Sequence, residues 1–152
     1  MIALALALLL ARDSLGTYEG WGAFRDASPP RCFAIARPIE KHADAQPFAS
    51  IATWPRDGVR NQLHIRLSRT RAANAGVALS IGERRFELKA GDADAWAPDA
   101  RTDAAIVAAI RAGRSMSVET VAENGAPFAD TYALKGAATA IDAAVVGCAG
   151  RS

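Results

Sequence analysis

The stretch from Asp94 to Val118 limits most strongly what this chain can fold into, because it reads as one short amphipathic helix set between strands. Thr102 can cap a helix whose first turn carries Asp103, whose apolar stripe is Ile106, Val107 and Ile110, and whose stop is Gly113. A helix of about a dozen residues is only marginally stable alone, so this stripe has to lie on a sheet face or on the open end of a sandwich.

The rest of the chain supplies the strands. Leu63-His-Ile-Arg-Leu67 alternates cleanly, which turns Leu63, Ile65 and Leu67 toward a core and His64 and Arg66 away from it. Taking Gly82-Glu83 as a two-residue turn opposes Ile81 with Arg84, Leu79 with Phe86 and Val77 with Leu88. Tyr18–Phe24 and Arg31–Ala36 read as strands on either side of the turn cluster Asp26-Ala-Ser-Pro-Pro30. Residues 37–47, with Pro38, Asp44 and Pro47, read as a surface loop. Phe48–Trp54 resumes as strand and stops at Pro55-Arg-Asp-Gly58. Arg114–Val121, with Met116 and Val118 inward, turns at Glu123-Asn-Gly-Ala-Pro127 into Phe128–Leu134. A final helix carries Ile141 and Val145 and is closed by Gly147. About eight strands and two short helices, with strands mostly following strands, predict a mainly β, antiparallel sandwich.

At 152 residues the chain has the size of one domain, read as residues 17–150, and needs no staple to bury a core. A content of 51% apolar and 22% charged residues excludes disorder, and a formal charge of +2 exerts no strong pull toward nucleic acid, so no nucleic-acid partner is expected. Ile2–Ala11 is an apolar run ended by Arg12 and Asp13, with the length of a signal-peptide core and too short to cross a bilayer. Residues 1–16 are therefore read as an incomplete export signal or an N-terminal extension, and the mature form as not membrane-spanning. Cys32 and Cys148 are two buried thiols in a reducing compartment, or a bridge in an oxidising one.

Patterns of catalysis are sought and not found. The sequence has no Gly-x-Ser-x-Gly elbow, and His42, in a loop, and His64, on an outward strand position, both read as solvated surface residues. Asp92, Asp94, Asp99 and Asp103 lack the spacing of a calcium loop and read as turn formers and helix N-terminal charges, so no metal and no cofactor is expected. Trp21, Trp54 and Trp96 offer indole faces suited to sugars, or core packing. Arginines 56, 60, 66, 69, 71, 84 and 85 gather positive charge in the middle of the chain, where a solvated sheet face accounts for them.

Five segments fall in a familiar order: Trp21-Gly-Ala-Phe, Cys32-Phe-Ala-Ile-Ala-Arg-Pro38, Ala95-Trp-Ala-Pro-Asp99, Asp103 through Gly113, and Asp130-Thr-Tyr-Ala-Leu-Lys-Gly136, closed by Cys148. This order resembles the invasion-associated locus B family of bacterial envelope proteins. The resemblance implies an exported, periplasmic or secreted protein, an immunoglobulin-like β-sandwich, a Cys32–Cys148 disulfide and no defined enzymatic activity. Two functions are then expected in turn: a non-enzymatic protein that meets a protein, glycan or lipid of the envelope or of a host surface, and a small-ligand or carbohydrate module built on Trp54, Arg56, His64 and Arg66. A hydrolase or metal enzyme centred on Asp92–Asp103 ranks last, because those carboxylates would have to converge on one point.

Overall fold

The alternation of Leu63, Ile65 and Leu67 puts all three side chains in the core, and the register of the sheet is built outward from them. In a computed structural model, residues 12–42 and 45–150 are described. They form ten strands and two helices. The strands are β1 (Arg12–Tyr18), β2 (Trp21–Ala27), β3 (Pro30–Ala36), β4 (Phe48–Trp54), β5 (Val59–Arg66), β6 (Val77–Ile81), β7 (Arg84–Ala90), β8 (Asp94–Trp96), β9 (Ser115–Val121) and β10 (Pro127–Ala133). Helix α1 spans Ala100–Ala112 and α2 spans Ala137–Cys148. The export-signal run Ile2–Ala11 and Asp44 of the expected loop lie outside the described residues.

All ten strands belong to one antiparallel sheet in the order β1-β2-β3-β4-β5-β8-β7-β6-β9-β10. The expected mainly β, antiparallel fold with two helices is present, while the immunoglobulin-like sandwich is not confirmed: among the described residues the ladders run through one sheet, whose end strands do not pair to close a barrel. The element that joins the two halves is β8, whose three residues Asp94–Trp96 pair with β5 on one side and with β7 on the other. So short a strand has too few residues to show alternation, which is why the sequence showed only a lead-in to Trp96. The Val77–Leu88 hairpin has the expected register at all three facing pairs, Ile81 with Arg84, Leu79 with Phe86 and Val77 with Leu88.

At the front of the chain, the single strand expected at Tyr18–Phe24 is instead the end of β1, a Glu19-Gly20 turn and the first part of β2. Glu19 takes a left-handed φ of 56°, a conformation with no sequence signal in a Glu. The sheet thus takes in residues 12–16, which had been grouped with the N-terminal extension.

The curl of the sheet is pinned by long-range polar contacts. The Trp21 indole N–H of β2 donates to the Ala133 carbonyl of β10 across 2.8 Å, and Ile39 N–H donates to Thr131 O across 2.8 Å. A single cluster of buried side chains runs through both halves, from Trp21, Ile51 and Leu63 to Leu79, Val118, Tyr132 and Ile141. Helix α1 lies against β5 and β7, and α2 against β1 to β4.

Two helix ends depart from expectation. Asp99, not Thr102, caps α1: its carboxylate accepts the Thr102 backbone N–H at 2.7 Å from an extended N-cap conformation. Helix α2 runs through Gly147 rather than stopping at it, and a Cβ there would meet Leu15 Cδ1 at 2.5 Å, so the glycine lets β1 approach the helix. Val145 is only half buried, and the inward stripe of α2 is Ala137, Ala140, Ile141, Ala144 and Cys148. Cys148 is bonded to Cys32 of β3 with Cα atoms 5.9 Å apart, so the last turn of α2 is tied covalently to the sheet.

Candidate functional site

Strand alternation sends one set of side chains to the core and a second set to the outer face, and Trp54, His64 and Arg66, three of the four residues expected to bind a ligand, are in the second set. On that face the cross-strand pairs Ser50–His64 and His64–Trp96 line up across β4, β5 and β8. The His64 ring stacks on Trp96 with centroids 5.2 Å apart and planes at 8°, and meets Phe48 edge-on at 5.0 Å. Its Nε2 is 2.8 Å from Asp94 Oδ1, while Arg66 Nη1–H donates to Asp94 Oδ2 at 2.7 Å. The carboxylate of Asp94 thus answers both His64 and Arg66, which leaves this corner a satisfied polar cluster on an aromatic base.

Trp54 and Arg56 are elsewhere. Trp54 pairs with Val59 at the far end of the β4–β5 ladder from the Phe48–Arg66 pair, and Arg56 is exposed in a single 3-10 turn, Pro55–Asp57. The four residues therefore divide between two places, His64 with Arg66 and Trp54 with Arg56.

Beside Trp54 is a cleft of ≈ 370 Å³, lined by Arg12, Asp26, Ala27, Ser28, Pro29, Arg31 and Trp54. Phe24 and Phe33 face each other across β2 and β3 and pack with centroids 5.6 Å apart. The Arg31 guanidinium lies over Phe33 at 4.1 Å and over Trp54 at 5.0 Å. Arg12 forms a two-point pair with Asp26, Nε to Oδ1 at 2.8 Å and Nη2 to Oδ2 at 3.2 Å. Arg31 approaches the same carboxylate only to 3.8 Å, and its buried Nε–H meets no acceptor among the described residues. Burial pushes the Arg31 pKa below its ordinary value, the Asp26 charge opposes this, and Arg12 adds to it. Two cations thus share one anion, and the surplus is at Arg31. Sequence reasoning passed over Arg12 and Arg31; the available signal was the Arg31-x-Phe33 alternation, which puts a cation and a large aromatic together on the outward face.

Two aspartates point the other way, into the core. Asp130 of β10 is fully buried; Ser68 donates to it through its backbone N–H at 2.9 Å and its hydroxyl at 2.5 Å, and His42 Nε2 stands 3.8 Å away. The neighbouring Tyr132 hydroxyl is buried, and its pKa is raised by that burial and by the charges of Asp130 and Glu40. Asp103 is in the first turn of α1 as expected, but it is only 8% exposed and accepts the Leu63 N–H of β5 at 2.9 Å. The four aspartates of the Asp92–Asp103 run do not converge: Asp94 serves His64 and Arg66, Asp99 caps α1, and Asp103 reaches β5. Among the described residues no group of three metal-binding side chains occurs.

Burial pushes the Asp103 carboxyl up to about 6, the Leu63 N–H opposes this, and the Asp99 charge reinforces it. Because the folded pKa exceeds the unfolded one, the contribution of Asp103 is full below about pH 4 and is lost as pH rises toward 6. Asp103→Asn keeps an acceptor for Leu63 and cannot ionise. Denaturant titrations across pH 4 to 7 are expected to show a flatter stability profile for the variant and a gain of about 1–2 kcal/mol at pH 7. Equal slopes in the two proteins would refute the assignment.

The polar fasteners in this fold, Trp21 to Ala133, Asp130 to Ser68, Asp99 at α1 and Cys32 to Cys148, fall on the segments that suggested a family. A model described as invasion associated locus B (IalB) protein matches residues 23–145. The chain belongs to this family. The crystal structure of invasion associated protein B from Bartonella henselae matches with a TM-score of 0.62 at 16% sequence identity, covering 88% of this chain and 96% of that one. At that identity the likeness shows that the IalB fold is shared and does not extend to ligands. No curated protein sequence matches the chain.

Proposed function

We propose that this IalB-family protein is a non-enzymatic, exported envelope protein, periplasmic or secreted, that works by binding. Its partner is a protein, glycan or lipid of the envelope or of a host surface. The observation that carries this reading is the Cys32–Cys148 bond, which persists only in an oxidising compartment and holds α2 rigidly on the sheet. The dispersal of the carboxylates supports binding over catalysis, since Asp94, Asp99, Asp103 and Asp130 each hold a different structural partner. The name of the Bartonella henselae relative associates that protein with invasion. For this chain, surface interaction is the function proposed, and a part in invasion is one form it can take.

The test is direct. Expressed with its own N-terminus in a bacterium, the protein should fractionate with the periplasm or medium, and its intact mass without reductant should be two hydrogen atoms below that of the reduced chain. Retention in the cytosol with two free thiols would overturn the export half. Pull-down from envelope fractions with the oxidised domain tests the other half. A second reading, a small-ligand or carbohydrate module, is favoured by one observation: the half-buried Trp54 ring beside a surplus arginine.

A further inference from the structure

We infer that the cleft between the β2–β3 turn and the end of β4 binds an acidic sugar, with Arg31 taking the carboxylate and Trp54 taking the flat C–H face of the ring. The inference deepens the binding function proposed above and rests on it.

Three features point to this ligand class. The first is charge. Arg12 and Arg31 face one carboxylate, and Arg12 occupies both oxygens of Asp26 at 2.8 and 3.2 Å. Arg31 is left at 3.8 Å, with a buried Nε–H that lacks an acceptor among the described residues. That Nε is closed to the cleft, so an arriving carboxylate accepts from the Nη groups, which Asp26 approaches only to 3.8 Å, in the planar arrangement that a guanidinium matches.

The second is shape. The Arg31 guanidinium is held between Phe33 and Trp54, at 4.1 and 5.0 Å from their ring centres, so its plane is set before any ligand arrives. A pre-set fork loses little freedom on binding. The third is the wall. Trp54 is half buried and borders both this cleft and a shallow apolar groove with Pro55, Val59 and Val145 on its other side. An indole in this position suits a pyranose face, and the Arg31 donors beside it fix which end of the ring carries the charge. The exposed turn residues Ala27, Ser28 and Pro29 form the opposite lip and leave the mouth open to a chain end or a branch of a glycan.

The experiment uses the full, oxidised protein and a uronic-acid probe, trigalacturonate, with galactotriose and inorganic phosphate as comparison ligands. Titration is followed by calorimetry and by tryptophan fluorescence. Saturable binding of trigalacturonate with a change in Trp54 emission, about tenfold or more tighter than galactotriose, is the expected result. Arg31→Gln should weaken it by about tenfold or more. Because Arg31 also packs on two rings, Ala27→Asp is the control for folding: it adds a negative charge at an exposed lip position, and should abolish binding with an unchanged melting temperature. Equal binding of galactotriose would mean stacking without charge recognition, and equal, competing binding of phosphate would mean an anion site that does not read the sugar; either overturns the inference, as does no binding of trigalacturonate. If trigalacturonate fails while envelope pull-down still yields a specific partner, the inference falls and the proposed function stands. If both fail, the function falls with it.

Discussion

Replacing Cys148 with serine is expected to lower the unfolding free energy by about 4 kcal/mol and the melting temperature by roughly 10–15 °C. The bond closes a loop with a sequence separation of 116 residues, and in the chain-entropy model so long a loop removes close to 5 kcal/mol of freedom from the unfolded chain. Residual structure in the unfolded chain brings the expected loss somewhat below that figure, and in the native state the same bond holds α2. Helix α2 begins at Gly136 without a side-chain cap and has no acidic residue in its first turn, so little within the helix stabilises it. It is held by its alanine-rich inward stripe and by Cys148. Cutting the bond frees the last turn, where Val146 is already 74% exposed. Denaturant melts of C148S, of C32S and of the double variant should coincide, because one bond is lost in each; they should also match the wild type in reductant. The m-value should rise in all of them, since the uncrosslinked denatured chain exposes more surface. A loss of under about 1 kcal/mol would mean that α2 is held by packing alone, and the rigid scaffold in the proposed function would lose its physical basis.

What the sequence made legible follows a physical division. Period-2 alternation over five or more residues was readable, hence Leu63, Ile65 and Leu67 in the core, the Val77–Leu88 register, and Met116 and Val118 inward. The stripe of α1 was readable for the same reason at a helical period. What alternation cannot encode was missed: the three-residue β8, and the Glu19-Gly20 turn that divides β1 from β2. Strand count and order alone predict a sandwich; β8, which pairs with both β5 and β7, is what joins the ladders into one sheet. Gly136, read only as a separator, has φ +88° and a carbonyl of Tyr18 that would stand 2.1 Å from a Cβ there. It is the point where the chain from β10 passes under β1 to enter α2.

The family segments explain the limit on function. Trp21, Cys32, Asp99, Asp103, Asp130, Gly136 and Cys148 all prove to be fasteners of the fold: a hydrogen bond between distant strands, a cap, a core carboxylate, a close backbone passage, a covalent tie. Arg12, Arg31 and Trp54, which build the cleft, are outside those segments. The motifs that suggest the family therefore report on how the chain folds, and Arg31 and Trp54, although within the matched residues 23–145, belong to none of those motifs. Of the expected binding residues, His64 and Arg66 were correctly read as outward; their mutual use of Asp94 depends on β8 and was invisible without it.

Among those fasteners Asp130 should show the largest effect of any non-covalent contact. It comes from β10, at one edge of the sheet, and both of its oxygens are used by Ser68, which follows β5 in the middle of the sheet order. The contact therefore holds the curl of the sheet, together with the Trp21–Ala133 hydrogen bond. Asp130→Ala leaves the Ser68 N–H and hydroxyl in a buried site without acceptors, and opens a void beside the Tyr132 hydroxyl, which has no hydrogen-bond partner among the described residues. Each orphaned donor costs about 1–3 kcal/mol, so a loss of about 3–4 kcal/mol is expected. Asp130→Asn retains one acceptor but turns an amide N–H₂ toward the other donor, and should cost about half as much. Ser68→Ala removes the hydroxyl and spares the backbone bond, for about 1 kcal/mol. His42, whose Nε2 stands 3.8 Å from Asp130 and has no hydrogen-bond partner among the described residues, should be replaceable by Gln at under about 0.5 kcal/mol. The order of these four variants carries more than any single value. Denaturant melts in which S68A costs as much as D130A would mean that the hydroxyl, not the backbone N–H, holds β10 to the middle of the sheet. A D130A variant as stable as the wild type would mean that the curl survives without this contact, and that Trp21 and the core packing around it suffice.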